Sequence, residues 1–138
     1  MFVRALSRLL CDAVLPLDYA AHAEAMLREL SAIEASLCGR LSLAPLMEAA
    51  QVLRDVAAGT KSDQALMAAS RVLVPMDYTT GDRFRHDPAL PQPPWPVLQP
   101  IRALAEAGAE AAPFAAVDAL RARNRMRHAL RQAAALLR

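Results

Sequence analysis

Whatever chemistry this chain of 138 residues can do rests on three histidines, two cysteines and one dense polar stretch. A zinc site needs His, Cys or carboxylate ligands that converge, often from one helix face with HExxH or HxxxE spacing. His22, His86 and His128 have no such spacing, and His22 and Glu24 share no face with a second ligand. Cys11 and Cys38 lack CxxC spacing. Two buried or partly buried thiols are the expectation for them, with a disulfide or a metal role as the alternative. Hydrolysis needs a nucleophile, a base and an orienting acid that converge. Ser70, His86 and Asp87 are the nearest approach to such a trio, but no GxSxG elbow frames the serine. Neither GxGxxG nor GxxxxGK[ST] occurs, so no phosphate loop is written into the chain. The expectation is a protein without catalytic residues, metal or cofactor of its own.

The dense polar stretch runs from Pro75 to Pro100 and reads PMDYTTGDRFRHDPALPQPPWPVLQP, with seven of the ten prolines. Proline lacks an amide donor and fixes φ, so neither a regular helix nor a central strand fits there. A loop this long in a small domain is a functional surface or a disordered segment. Asp77, Thr79, Thr80 and Asp82 around Gly81 are turn formers. Tyr78, Arg83, Phe84, Arg85, His86, Asp87 and Trp95 are the candidate interface or binding residues, because aromatic and arginine side chains anchor interfaces. Order is expected around Tyr78–His86, and greater exposure over Leu90–Pro94. Either the loop's aromatics cap the bundle, or the loop docks on another domain or subunit.

A second charged feature is the run Arg121, Arg123, Arg125, Arg127, Arg131 and Arg138, with no acid after Asp118. Alternate spacing spreads this charge around a helix, and no stacking aromatics are interleaved with it. A solvated face is expected, with a partner contact and then nucleic acid as the alternatives. The net charge of +2 gives no reason to expect nucleic acid.

The elements that must position these groups are helices. The first spans Phe2–Val14, with Val3, Leu6, Leu9 or Leu10 and Ala13 on one face. Asp18 is placed to cap a second, Tyr19 to about Leu37, with Ala23, Met26, Leu27, Leu30, Ile33 and Leu37 along its stripe and Gly39 as its stop. Ser42 starts a third, with Pro45 in its first turn and Gly59 at its end. A fourth runs from Ser62 to Val74 and ends at Pro75. A short fifth covers Val97–Ala107, and Pro113 opens a last helix to about Leu137, with Leu120, Met126, Leu130, Ala134 and Leu137 inward. The fold class expected is therefore all-α: a helical bundle of five to six helices with one long Pro-rich loop. Short links predict antiparallel neighbours among the first four helices.

An apolar fraction of 55% with 22% charged residues excludes global disorder, and the length suits one domain over residues 1–138. No apolar run approaches the ~20 residues of a membrane span. The N-terminus is interrupted by Arg4, Arg8 and Asp12 and reads as a helix, not a signal peptide. No membrane partner is expected, and the cytoplasm is the default compartment.

Several blocks together resemble a known family. LPLDYAAHAEAMLREL (Leu15–Leu30) resembles the LPFD-then-helix opening of the transferrin-receptor-like dimerisation domain. That domain follows the catalytic domain in glutamate carboxypeptidase II and related zinc aminopeptidases. LSLAPLMEAAQVL (Leu41–Leu53) is similar to its next helix, and SDQALMAASRVLV (Ser62–Val74) to its N-D-x-L-M helix, with Leu66 and Met67 matching. RFRHDPALP (Arg83–Pro91) resembles the loop that follows, with Arg85 and His86 in matching places. VRALSRLLCDAV (Val3–Val14) resembles the last helix of the catalytic domain, whose two-zinc ligand set has no counterpart here. WPVLQPI stands where the family has F-P-G-I. The resemblance implies a non-catalytic dimerisation and support domain of a zinc peptidase-like protein, or a stand-alone relative. The partners it implies are a second copy and a peptidase catalytic domain. The alternative is a binding module whose 77–95 loop captures a peptide or small ligand.

Overall fold

The computed structural model describes residues 2–80 and 93–138. Six α-helices follow in order: α1 (Phe2–Cys11), α2 (Tyr19–Leu37), α3 (Ala44–Ala57), α4 (Asp63–Tyr78), α5 (Gln99–Glu106) and α6 (Ala112–Leu136). A single 3₁₀ turn, Pro96–Leu98, leads into α5. No strand occurs among the described residues, and the class is all-α as the periodicity predicts.

Local chemistry sets most of the boundaries. The Asp18 carboxylate accepts from the Ala21 amide at 2.8 Å and caps α2. That helix stops where Cys38 and then Gly39 take left-handed backbone, φ 48° and 81°. Ser62 caps α4 in the same way, accepting from the Ala65 amide at 3.4 Å. α1 is shorter than expected, ending at Cys11 instead of Val14.

The larger correction is in α4. Pro75 does not end it: the helix runs one more turn, to Tyr78. Proline removes only its own donor, and the Pro75 carbonyl still accepts from the Thr79 amide at 3.1 Å and the Thr79 hydroxyl at 2.6 Å. Asp77 thus belongs to a helix, not to a turn.

The core is α6 with its clients. Ala119, Ala122, Met126, Ala129, Leu130, Ala133 and Ala134 are buried along it, and it packs against α3, α4, α5 and the 3₁₀ turn. Alanine lets backbones approach closely, so one face can serve several neighbours. Leu120, expected inward, is exposed, because the buried face is set by Ala119, Ala122 and Met126 and leaves Leu120 to one side. The neighbour rule also needs correction. α2 and α3 pack together, but α3 and α4 each pack on α6 and not on one another. The expected apolar stripe of α2 lies in the core, and α3, α4 and α5 bury Leu46, Leu53, Leu66, Leu73, Ile101 and Leu104 at helical spacing beside it.

α1 stands apart. It touches no other element, and none of its residues is buried. Only the connector after it is held, with Val14, Leu15 and Leu17 against the core and the Leu15 amide donating to Asp63 Oδ1 at 2.7 Å.

Candidate functional site

The polar groups that the fold gathers lie at the roots of the Pro-rich loop. Tyr19 and His22 are three residues apart on α2 and so share a face. The extra turn of α4 brings Asp77 to them, and His22 Nε2 meets Asp77 Oδ1 at 2.8 Å. A carboxylate only accepts, so Nε2 carries the proton and donates. Both side chains are about four-fifths buried, at 21% and 19% exposure. Tyr19 and Trp95 meet the imidazole edge-on, with ring centroids 6.0 and 5.8 Å away.

Trp95 is where the loop returns to the bundle. Its backbone is left-handed, φ 49° and ψ 75°, an uncommon state for a bulky residue and one that costs on the order of 1–3 kcal/mol. Arg102 of α5 holds it there. The guanidinium donates to Glu29 Oε1 at 2.7 Å, to the Pro94 carbonyl at 2.7 Å and to the Trp95 carbonyl at 3.4 Å. The Trp95 carbonyl also accepts from the Leu98 amide at 2.9 Å. Pro96, Val97 and Leu98 are buried directly after it, so the ring and the turn together close one edge of the core.

This geometry ties the loop's return to α2, α4 and α5. His22 Nδ1 is buried with no hydrogen-bond partner among the described residues. Ser70, the serine nominated from the sequence, lines a shallow depression with Leu17, Met67, Arg71 and Val74, and among the described residues no histidine lines it. Among the described residues no three His, Cys, Asp or Glu side chains gather as a metal would need. His128 is exposed on α6.

Of the residues expected to form the loop interface, Tyr78 and Trp95 are described. Tyr78 projects from the last turn of α4 at 68% exposure, while Trp95 is half-buried against the bundle. Pro93 and Pro94 are exposed as expected. Arg83, Phe84, Arg85, His86 and Asp87 lie outside the described residues. Cys11 and Cys38, expected to be buried or partly so, are both exposed free thiols. Each sits at a helix end beyond its apolar stripe, where nothing covers it.

No family model, curated protein or solved structure matches this chain. What it does must be argued from its own surfaces. Sequence reasoning missed Tyr19, Glu29 and Arg102 and gave His22 no partner. His22 and Asp77 are 55 positions apart, and no local pattern pairs them. The one usable signal was the single tryptophan, flanked by prolines, which marked the loop's return.

No helix among the described residues is long and apolar enough to cross a membrane.

Proposed function

We propose that this chain is a non-catalytic helical assembly domain. It pairs with a second copy of itself, and it supports a zinc peptidase-like catalytic domain where one is present. The observation that carries this reading is the amount of apolar helix surface without a cover. On α1, Phe2, Val3, Leu6, Leu9 and Leu10 form one apolar face, and Phe2 is 91% exposed. A helix of ten residues is marginal on its own in water and draws its stability from packing. Larger exposed apolar patches mark protein–protein contacts. The resemblance of Leu15–Leu30, Leu41–Leu53 and Ser62–Val74 to the transferrin-receptor-like dimerisation domain supports the same reading. In it, α1 is the arm that meets the catalytic domain.

The test is sedimentation of the purified chain from 1 to 100 µM. A dimer is expected within that range. A monomer at 100 µM, far above a micromolar dissociation constant, would remove self-association from the reading.

A second reading has one observation in its favour. A depression of about 450 Å³ lies at the foot of the loop, lined by Thr80, Gln99, Pro100, Ala103, Ala115 and Asp118. That is the size of a small-ligand cleft. In this reading the 77–95 loop captures a peptide or small ligand above that floor. Protection of Ala115 and Asp118 amides on adding a peptide mixture would favour capture over assembly.

A further inference from the structure

The outward face of α6 is apolar near its start and charged on either side. Opposite the buried line of Ala119, Met126 and Ala133, the helix shows Phe114 and Val117 to solvent, with Leu120 beside them. Phe114 is 77% exposed. The C-terminal continuation of the same face is basic, with Arg121, Arg125 and Arg131 exposed. Just ahead of α6, the link from α5 carries Glu106 and Glu110, also exposed. The order along the surface is therefore acidic, apolar, basic, with exposed Asp118 at the edge of the apolar part and 3.6 Å from Arg121.

That order is self-complementary under one arrangement only. Two copies of α6 crossing antiparallel near Val117 bring the acidic end of each beside the basic end of the other. Phe114 of one copy then meets Leu120 and Arg121 of the second, an apolar contact and a cation–π contact. Glu110 comes alongside Asn124 and Arg125. A crossing shifted toward the C-terminus would set arginine against arginine. The other exposed apolar faces fail the same test. A two-fold through the α4 face, Met67 and Val74, sets Arg71 against Arg71. The α1 face carries no charge to set a register, since Arg4 and Arg8 lie on the opposite side of the helix, and α1 is fixed to no other element. α6 is held on α3, α4 and α5, so its face is rigid.

The size is adequate. Burying Phe114, Val117 and Leu120 on both copies removes roughly 600 Å² of apolar side chain from water, and the flanking charged arms bring the total near the ~1,000 Å² of a specific interface. We propose that α6 pairs with α6 of a second copy about a two-fold axis near Val117, with Glu110 and Arg125 as the charge pair that sets the register. This inference rests on the self-association reading above and adds the face and the register.

The experiment uses the full chain with Cys11→Ser and Cys38→Ser, since both native thiols are exposed. Helix axes about 8–10 Å apart, with Cα atoms 2.3 Å off each axis, leave roughly 4–5 Å between the Cα atoms at the crossing, within disulfide reach. Val117→Cys should therefore give a covalent dimer on mild oxidation, while Met67→Cys and Leu6→Cys should not. Glu110→Arg and Arg125→Glu should each weaken the sedimentation dimer about tenfold at low salt, and the double variant should recover most of that loss. Cross-linking through Leu6→Cys or Met67→Cys but not Val117→Cys, in a chain that still dimerises, would overturn the α6 face and leave self-association standing. No recovery in the charge-reversal double would overturn the register. A monomer at every concentration would overturn both the face and the self-association reading.

Discussion

α1 and α6 have opposite fates for the same kind of sequence. α1 has the sharper apolar face, with Phe2, Val3, Leu6, Leu9 and Leu10 against Arg4, Ser7 and Arg8, and buries nothing. α6 has arginine at six positions between Arg121 and Arg138 in and just past it, and an apolar face made largely of alanine, yet it is the centre of the bundle. Contrast around a helix says that a face wants a cover. It does not say which cover, or that this chain provides it. Small residues report less hydrophobicity but allow close approach, and close approach decides who occupies the centre.

The largest effect should come from the centre. Leu130 is fully buried on α6, and Leu130→Ala should cost about 2–5 kcal/mol by denaturant unfolding, the range for a leucine truncated in a packed core. A loss below about 1 kcal/mol would mean that α6 is less central than its contacts indicate. A middle effect is expected at the loop roots. Asp77→Ala leaves His22 without its partner and should cost roughly 1–3 kcal/mol. In the double-mutant cycle, most of that loss should vanish in a His22→Ala background. Equal losses in both backgrounds would show that the 2.8 Å contact contributes nothing. The smallest effect belongs to α1. Removing residues 2–11 should change the unfolding free energy of the monomer by less than about 0.5 kcal/mol, as for a surface change away from any buried feature. A loss of several kcal/mol would place α1 on the bundle in solution and erase the contrast with α6.

Most of the fold was legible because helix ends and stripes are local. Asp18 and Ser62 capped where their chemistry says they should, and Met26, Leu30, Leu46, Leu53, Leu66, Leu73, Ile101 and Leu104 are core residues at helical spacing. Pro75 misled because proline removes only its own donor, and its carbonyl still accepts from the Thr79 amide and hydroxyl one turn on. Leu120 misled because a large apolar residue outranks alanine on any hydrophobicity scale but not in a close-packed seam. The loop-root cluster was nearly illegible. Glu29 and Arg102 meet across 73 positions, and only the assembled bundle brings them together.

The central place of α6 also governs the order in which the chain can fold as it is made. α2 and α3 find each other within the first 57 residues, so that pair can form early. α4 does not pack on α3, and it must wait for the 3₁₀ turn and for α6, which begins only at Ala112. Until those last 25 helical residues emerge, the leucines of α4 and half of the α3 face have nothing to bury against. At roughly 5–20 residues per second this interval is seconds long, and exposed apolar surface over seconds is what chaperones recognise. The bundle is completed by α6, and its most exposed moment falls just before that helix emerges.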